Sequence, residues 1–133
     1  MTIQYLVDTD WAIHYLNDHE GIVQRLRELQ RQEGLALSII SLAELYEGVY
    51  YSREPEDDEG ALQDFLRGVT ILGIDEHTCQ IFGKERGRLR ATSTMIGDCD
   101  LLIGATALRH NLIILTNNRR HFERIEGLRI ESL

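Results

Sequence analysis

The chain of 133 residues holds one proline, one lysine and two cysteines, and none of its apolar runs approaches the roughly 20 residues of a membrane span. Each scarcity removes a class of protein. Two cysteines, Cys79 and Cys99, are too few for a disulfide framework and fit a reducing compartment. Both read as inert thiols, because the acids on either side of Cys99 oppose its ionisation. One proline, no low-complexity tract and no internal repeat give no sign of linkers or stacked modules. The opening MTIQYLVDTD lacks the basic and apolar regions of a secretory signal, so the expected location is cytoplasmic, with no membrane association. Positive charge is also short: the formal net charge of −8 argues against broad electrostatic adhesion to nucleic acid. It leaves room for two local basic tracts, KERGRLR (Lys84 to Arg90) and NNRRHFER (Asn117 to Arg124).

With 43% hydrophobic and 27% charged residues, the chain reads as one globular domain over residues 1–133. Short β-branched runs at 3–7, 35–40, 69–74, 112–116 and 128–132 have the character of strands buried on both faces. Between them lie helical patterns at 11–16, 22–29, 41–51, 61–67, 75–91 and 98–110, with REPEDDEG (53–60) expected as an acidic loop. Strands alternating with helices imply crossover units. The expected fold is therefore an α/β three-layer sandwich, a mostly parallel five-stranded sheet flanked by helices. In such sheets ligands sit beyond the carboxyl ends of the strands, where the strand order reverses.

Those ends are rich in oxygen. Asp8 and Asp10 follow the first run; one of them suffices to cap a helix, and two exceed that need. Glu44 follows the second run, spaced from Ser41 as in a capping box, with Glu47 a turn beyond facing solvent. In IGDCDLLIGA, Asp98 and Asp100 precede a helix that is apolar nearly all round, which places them at the mouth of a core; a helix dipole excuses one of them. Thr116, Asn117 and Asn118 follow the fourth run, where an asparagine pair also suits a turn. Four strand ends delivering oxygen to one edge call for a cation, since clustered carboxylates otherwise raise one another's pKa. Oxygen ligands select a hard ion, Mg²⁺ or Mn²⁺.

Together YLVDTD, SIISLAELYEG, IGDCDLLIGATAL and ILTNNRRHFERIEGLRIESL resemble the PIN domain, and within it the VapC-type toxins of toxin–antitoxin pairs. The resemblance spans nearly the whole chain and implies a metal-dependent endoribonuclease. By position it carries the family's metal-binding, catalytic acids onto Asp8, Glu44 and Asp100, and its fourth site position, often Asp, onto Asn118. A neutral amide there binds Mg²⁺ less strongly than a carboxylate, so one firm metal site is expected. Asp98 falls where the family varies and is taken as a helix cap or an outer ligand. The resemblance further implies a cognate antitoxin, whose amphipathic segment would lie in a groove near Trp11, Tyr15, Tyr46, Tyr50 and Tyr51, and a two-fold homodimer. The antitoxin segment would be basic, to complement the acidic edge.

Phosphodiester hydrolysis needs a nucleophilic water, neutralised phosphoryl charge and a stabilised leaving oxygen, all within reach of a carboxylate-held ion. Arg119 and Arg120 are the candidate phosphate guides for an RNA substrate, with the Lys84 to Arg90 track beside them. His121 is the one histidine expected near this edge. Two other classes fit part of the pattern. A noncatalytic PIN-like interaction module would keep the fold without turnover. A phospho-receiver-like signalling domain shares the acids after the first strand, but needs a lysine after its last strand, whereas the sole lysine here is Lys84.

Overall fold

The computed structural model describes residues 2–133. In chain order the elements are β1 (Tyr5–Val7), α1 (Thr9–Leu16), α2 (Glu20–Arg31), β2 (Leu35–Ser38), α3 (Ile39–Tyr50), α4 (Pro55–Leu66), β3 (Thr70–Leu72), α5 (Glu76–Ala91), α6 (Asp98–Arg109), β4 (Ile113–Leu115), α7 (Arg119–Phe122) and β5 (Ile130–Glu131). The five strands form one sheet in the order β3-β2-β1-β4-β5, and every neighbouring pair is parallel. The expected α/β sandwich is the fold found.

The period-two alternation of each strand divides the core into two layers. Val7, Leu35, Leu37 and Leu115 face the layer that holds Trp11, Leu26, Leu45 and Phe65 of α1 to α4. Leu6, Ala36 and Ile114 face the layer of Leu89, Leu101, Ile103 and Phe122 from α5 to α7. Both faces are covered, which is why the strands read as continuous apolar runs.

Two local expectations give way, and one short helix is added. Residues 55–60 are the first turns of α4: Pro55 stands in the first turn, where its missing N–H costs nothing, and Glu56, Asp57 and Asp58 sit at the positive end of the helix dipole. Helix α3 starts at Ile39, and its cap is Ser38, whose Oγ accepts from the Ile40 amide at 3.1 Å. That moves Ser41 and Glu44 into the helix interior, so they form no capping box. The segment after β4 winds one short helix, α7, seated against α6 at Gly104, where any Cβ would collide with Ile125.

Candidate active site

Strand order reverses between β1 and β4, which pair directly; the Asp8 amide donates to the Leu115 carbonyl at 3.0 Å to extend that pairing. The crevice beyond this switch point is where the acids lie. Asp8 occupies the N-cap position of α1 with extended backbone, yet its side chain makes no capping bond. It accepts instead from the Thr116 hydroxyl at 2.8 Å, just past β4. Asp10 lies alongside, 3.3 Å from the same hydroxyl, and accepts from the Asn117 amide at 3.0 Å. One hydroxyl proton serves one carboxylate, and the shorter contact goes to Asp8.

Asp8 is 3% exposed and, among the described residues, has no cationic partner. Burial pushes its carboxyl up to about 8, the charge of Asp10 adds to the rise, and the Thr116 hydrogen bond only partly offsets them. The group is held where its charged form is unfavourable unless positive charge arrives.

Glu44 projects from the second turn of α3, and its Oε1 accepts from the Thr9 hydroxyl at 2.7 Å. The buried Ser41 hydroxyl stands 2.8 Å from the same Thr9 oxygen and can donate to it in turn. Asp100 lies in the first turn of α6, with Oδ2 2.9 Å from His121 Nδ1. That nitrogen is also 3.0 Å from the Asn118 side-chain amide, while the Asn118 backbone N–H donates to Thr116 Oγ1 at 2.9 Å. A chain of contacts thus runs from Asp8 through Thr116, Asn118 and His121 to Asp100, with Glu44 joined through Thr9 next to Asp8. Among the described residues, no three His, Cys, Asp or Glu side chains already surround one point. The acids line one edge, each tethered to its own partner.

Other candidates are committed elsewhere. Asn117 Oδ1 accepts from Trp11 Nε1 at 2.9 Å and from the Leu133 amide at 3.0 Å, so Asn117 ties the chain end to α1 and is not an oxygen ligand. Gly97, not Asp98, is the cap of α6; Asp98 is exposed and pairs with Arg86 at 3.0 Å. Arg119 is tethered to Glu123 and Ser132, each at 3.1 Å, whereas the exposed Arg120 has no ion pair among the described residues. The Cys99 thiol is raised by burial and by the charges of Glu44, Asp100 and Asp98, as an inert thiol should be. Lys84 stands midway along α5, and Asp75, after β3, accepts from the Thr78 amide at 2.8 Å as a helix cap. The residues a phospho-receiver requires are therefore spent or misplaced.

The sequence undervalued Thr9 and His121. The role of Thr9 depends on α1 and α3 meeting across 35 residues, which leaves no local signal. His121 had one, since three residues separate it from Asn118 and place both on one face of a helical turn.

The sequence profile of the PIN domain matches residues 5–128. "Ribonuclease VapC2" of Rickettsia felis is 32% identical over 129 residues, 96% of each chain. "tRNA(fMet)-specific endonuclease VapC" of Shigella flexneri is 30% identical over 130 residues, 98% of each. Among solved structures, VapBC2 from Rickettsia felis bound to a DNA fragment from its promoter contains a chain that superposes with a TM-score of 0.91 at 30% identity, covering 100% of this chain and 99% of that one. With its strand order, its edge of acids and these relatives, the chain belongs to the PIN-domain family, in the VapC branch.

Proposed function

We propose that this chain is a divalent-metal-dependent endoribonuclease and the toxin partner of a VapBC-type pair. The observation that carries the reading is Asp8: a buried carboxyl, beside a second acid, with no cationic side-chain partner among the described residues, at the point where strand order reverses. A binding module has no use for so costly a group. A small hard cation fits the donors there, carboxylate oxygens of Asp8, Asp100 and Glu44 with the amide of Asn118, and Mg²⁺ or Mn²⁺ is the matching class. When bound, such an ion supplies Lewis acidity, neutralising phosphoryl charge and making water a better nucleophile.

The chain's own residues set the rest. Thr116 and Thr9 orient Asp8 and Glu44, and the low-lying Asp8 keeps the centre at the floor of the crevice. Arg120 guides the substrate's phosphates, with Arg119 held behind it by Glu123. The antitoxin reading is supported by a groove between α1, α3 and α4, lined by Ile13, Leu45, Val49 and Ala61 and bordered by Glu44. Ile13 is 45% exposed, so the groove offers an amphipathic segment an apolar floor that ends at the acids. A homodimer and a cytoplasmic location complete the reading; the first is carried by the family likeness, and for the second no helix of the described residues is long and apolar enough to cross a membrane.

The test is direct. Purified protein free of partner should cleave total RNA into discrete fragments with Mn²⁺ or Mg²⁺, and lose that activity in EDTA or with Asp100→Asn. Intact RNA with both metals would favour the noncatalytic module instead.

A further inference from the structure

We propose that His121 is a ligand of the metal itself, offering Nδ1 to the same ion as Asp100, so that this site has a mixed oxygen and nitrogen shell and favours Mn²⁺ over Mg²⁺. The inference rests on the metal reading above and adds a residue to it.

The observation is an inconsistency in the hydrogen bonding. His121 Nδ1 lies 2.9 Å from Asp100 Oδ2 and 3.0 Å from the Asn118 amide nitrogen. One ring nitrogen cannot donate to the carboxylate and accept from the amide at once. If Nδ1 accepts from Asn118, two lone pairs face each other across 2.9 Å. If Nδ1 carries the proton and the Asn118 amide is turned to present Oδ1, an orientation that heavy-atom positions alone do not distinguish, two oxygens share the one N–H. Either way the cluster carries more acceptor than donor. With the Asn118 Oδ1 turned inward and Nδ1 unprotonated, a cation satisfies all three.

The spacing suits that use. Donors about 2.1 Å from a small divalent ion, at right angles to each other, lie about 3.0 Å apart. Both contacts of Nδ1 have the length of such an edge. The side chains come from the first turn of α6 and from α7 with its preceding residue, which Gly104 lets pack closely. Imidazole nitrogen is a softer donor than carboxylate oxygen; Mg²⁺ takes it reluctantly, whereas later divalent ions accept it. His121 is half-buried and, among the described residues, Nε2 makes no hydrogen bond, so the ring is not already committed to another structural partner.

Pulsed electron paramagnetic resonance on the protein with one equivalent of Mn²⁺ tests this without any turnover. The parent protein should show ¹⁴N modulation from a directly bound imidazole, changing to the ¹⁵N pattern on histidine-selective labelling. His121→Gln should lose the modulation while still binding the ion, with Mn²⁺ affinity reduced about tenfold and Mg²⁺ affinity changed by about twofold or less. Bound Mn²⁺ without nitrogen modulation would overturn the role of His121 and leave the carboxylate site standing. Modulation that persists in His121→Gln would do the same, by assigning the nitrogen elsewhere. Should that variant fail to fold, His121→Asn and the labelled parent provide the same readout. No bound Mn²⁺ at all would remove both the inference and the metal reading beneath it.

Discussion

Two carboxylates in this molecule are buried to a similar degree and titrate in opposite directions. Glu85 in α5 is 7% exposed and Asp8 is 3% exposed. Glu85 receives two hydrogen bonds from Arg88, at 2.8 and 3.0 Å, and a third from the Glu126 amide at 2.9 Å, and these hold its carboxyl below the usual range. Asp8 receives one hydroxyl and faces another acid, and is pushed up to about 8. Both are shielded from solvent, Asp8 the more deeply and Glu85 in part by the half-exposed Arg88 that pairs with it; compensation is what separates them. Glu85 ties α5 to the segment after α7 and completes its pairing within the chain, which is how a structural buried charge looks. Asp8 leaves its pairing to something outside the chain.

Substitutions that remove each charge should therefore have opposite effects. The largest is on catalysis: Asp8→Asn should lower RNA cleavage on the order of 10³-fold, measured by initial rates in Mn²⁺, because the ion loses its most buried ligand. In EDTA near pH 8 the same variant should be more stable than the parent in urea titrations, with a higher midpoint, since the uncompensated charge is gone. Glu85→Gln should do the reverse, lowering the urea midpoint by leaving Arg88 without its carboxylate, with cleavage by the folded fraction little changed. Asn118→Ala, which removes a neutral neighbour of the ion and of His121, should weaken cleavage about tenfold. Asp98→Asn should be the mildest, within about 0.5 kcal/mol and nearly silent in activity, because its pair with Arg86 is exposed.

The same contrast explains what could be read from the sequence. All five strands and the edge that gathers the acids follow from period, apolar runs and the position of each acid just past a strand. Asp8 and Asp100 could be found because a strand end and the mouth of an apolar helix are places where charge needs a reason. Boundaries failed where local chemistry had two readings. PEDDEG looks like a solvated loop by composition, yet its proline and the three acids directly after it are what a helix start favours. Ser41 and Glu44 have capping-box spacing, but Ser38 lies three residues earlier and takes the cap. Whether a polar side chain is spent or available was the least legible property. Asn117 and Asn118 are adjacent and alike, and only the approach of Trp11 and the chain end consumes the first. Arg119 and Arg120 part in the same way, through Glu123 and Ser132.

Whether Asp8 waits for a cation is tested most directly by a melting curve measured against pH with and without metal. Between the ordinary carboxyl value of 3.8 and the folded value of about 8, the native state binds more protons at Asp8 than the unfolded chain does. The Asp8 contribution to stability in EDTA must then fall as pH rises through that interval and level off above it. In Asp8→Asn this fall should disappear. Millimolar Mn²⁺ should raise the melting temperature of the parent most at the upper end of the interval, where protons compete least with the ion and the ionised carboxyl is otherwise uncompensated, and should raise that of Asp8→Asn far less. A parent protein whose melting temperature in EDTA has the same pH profile as Asp8→Asn, and which does not respond to Mn²⁺ near pH 8, would contradict the claim that this edge is built to hold a cation.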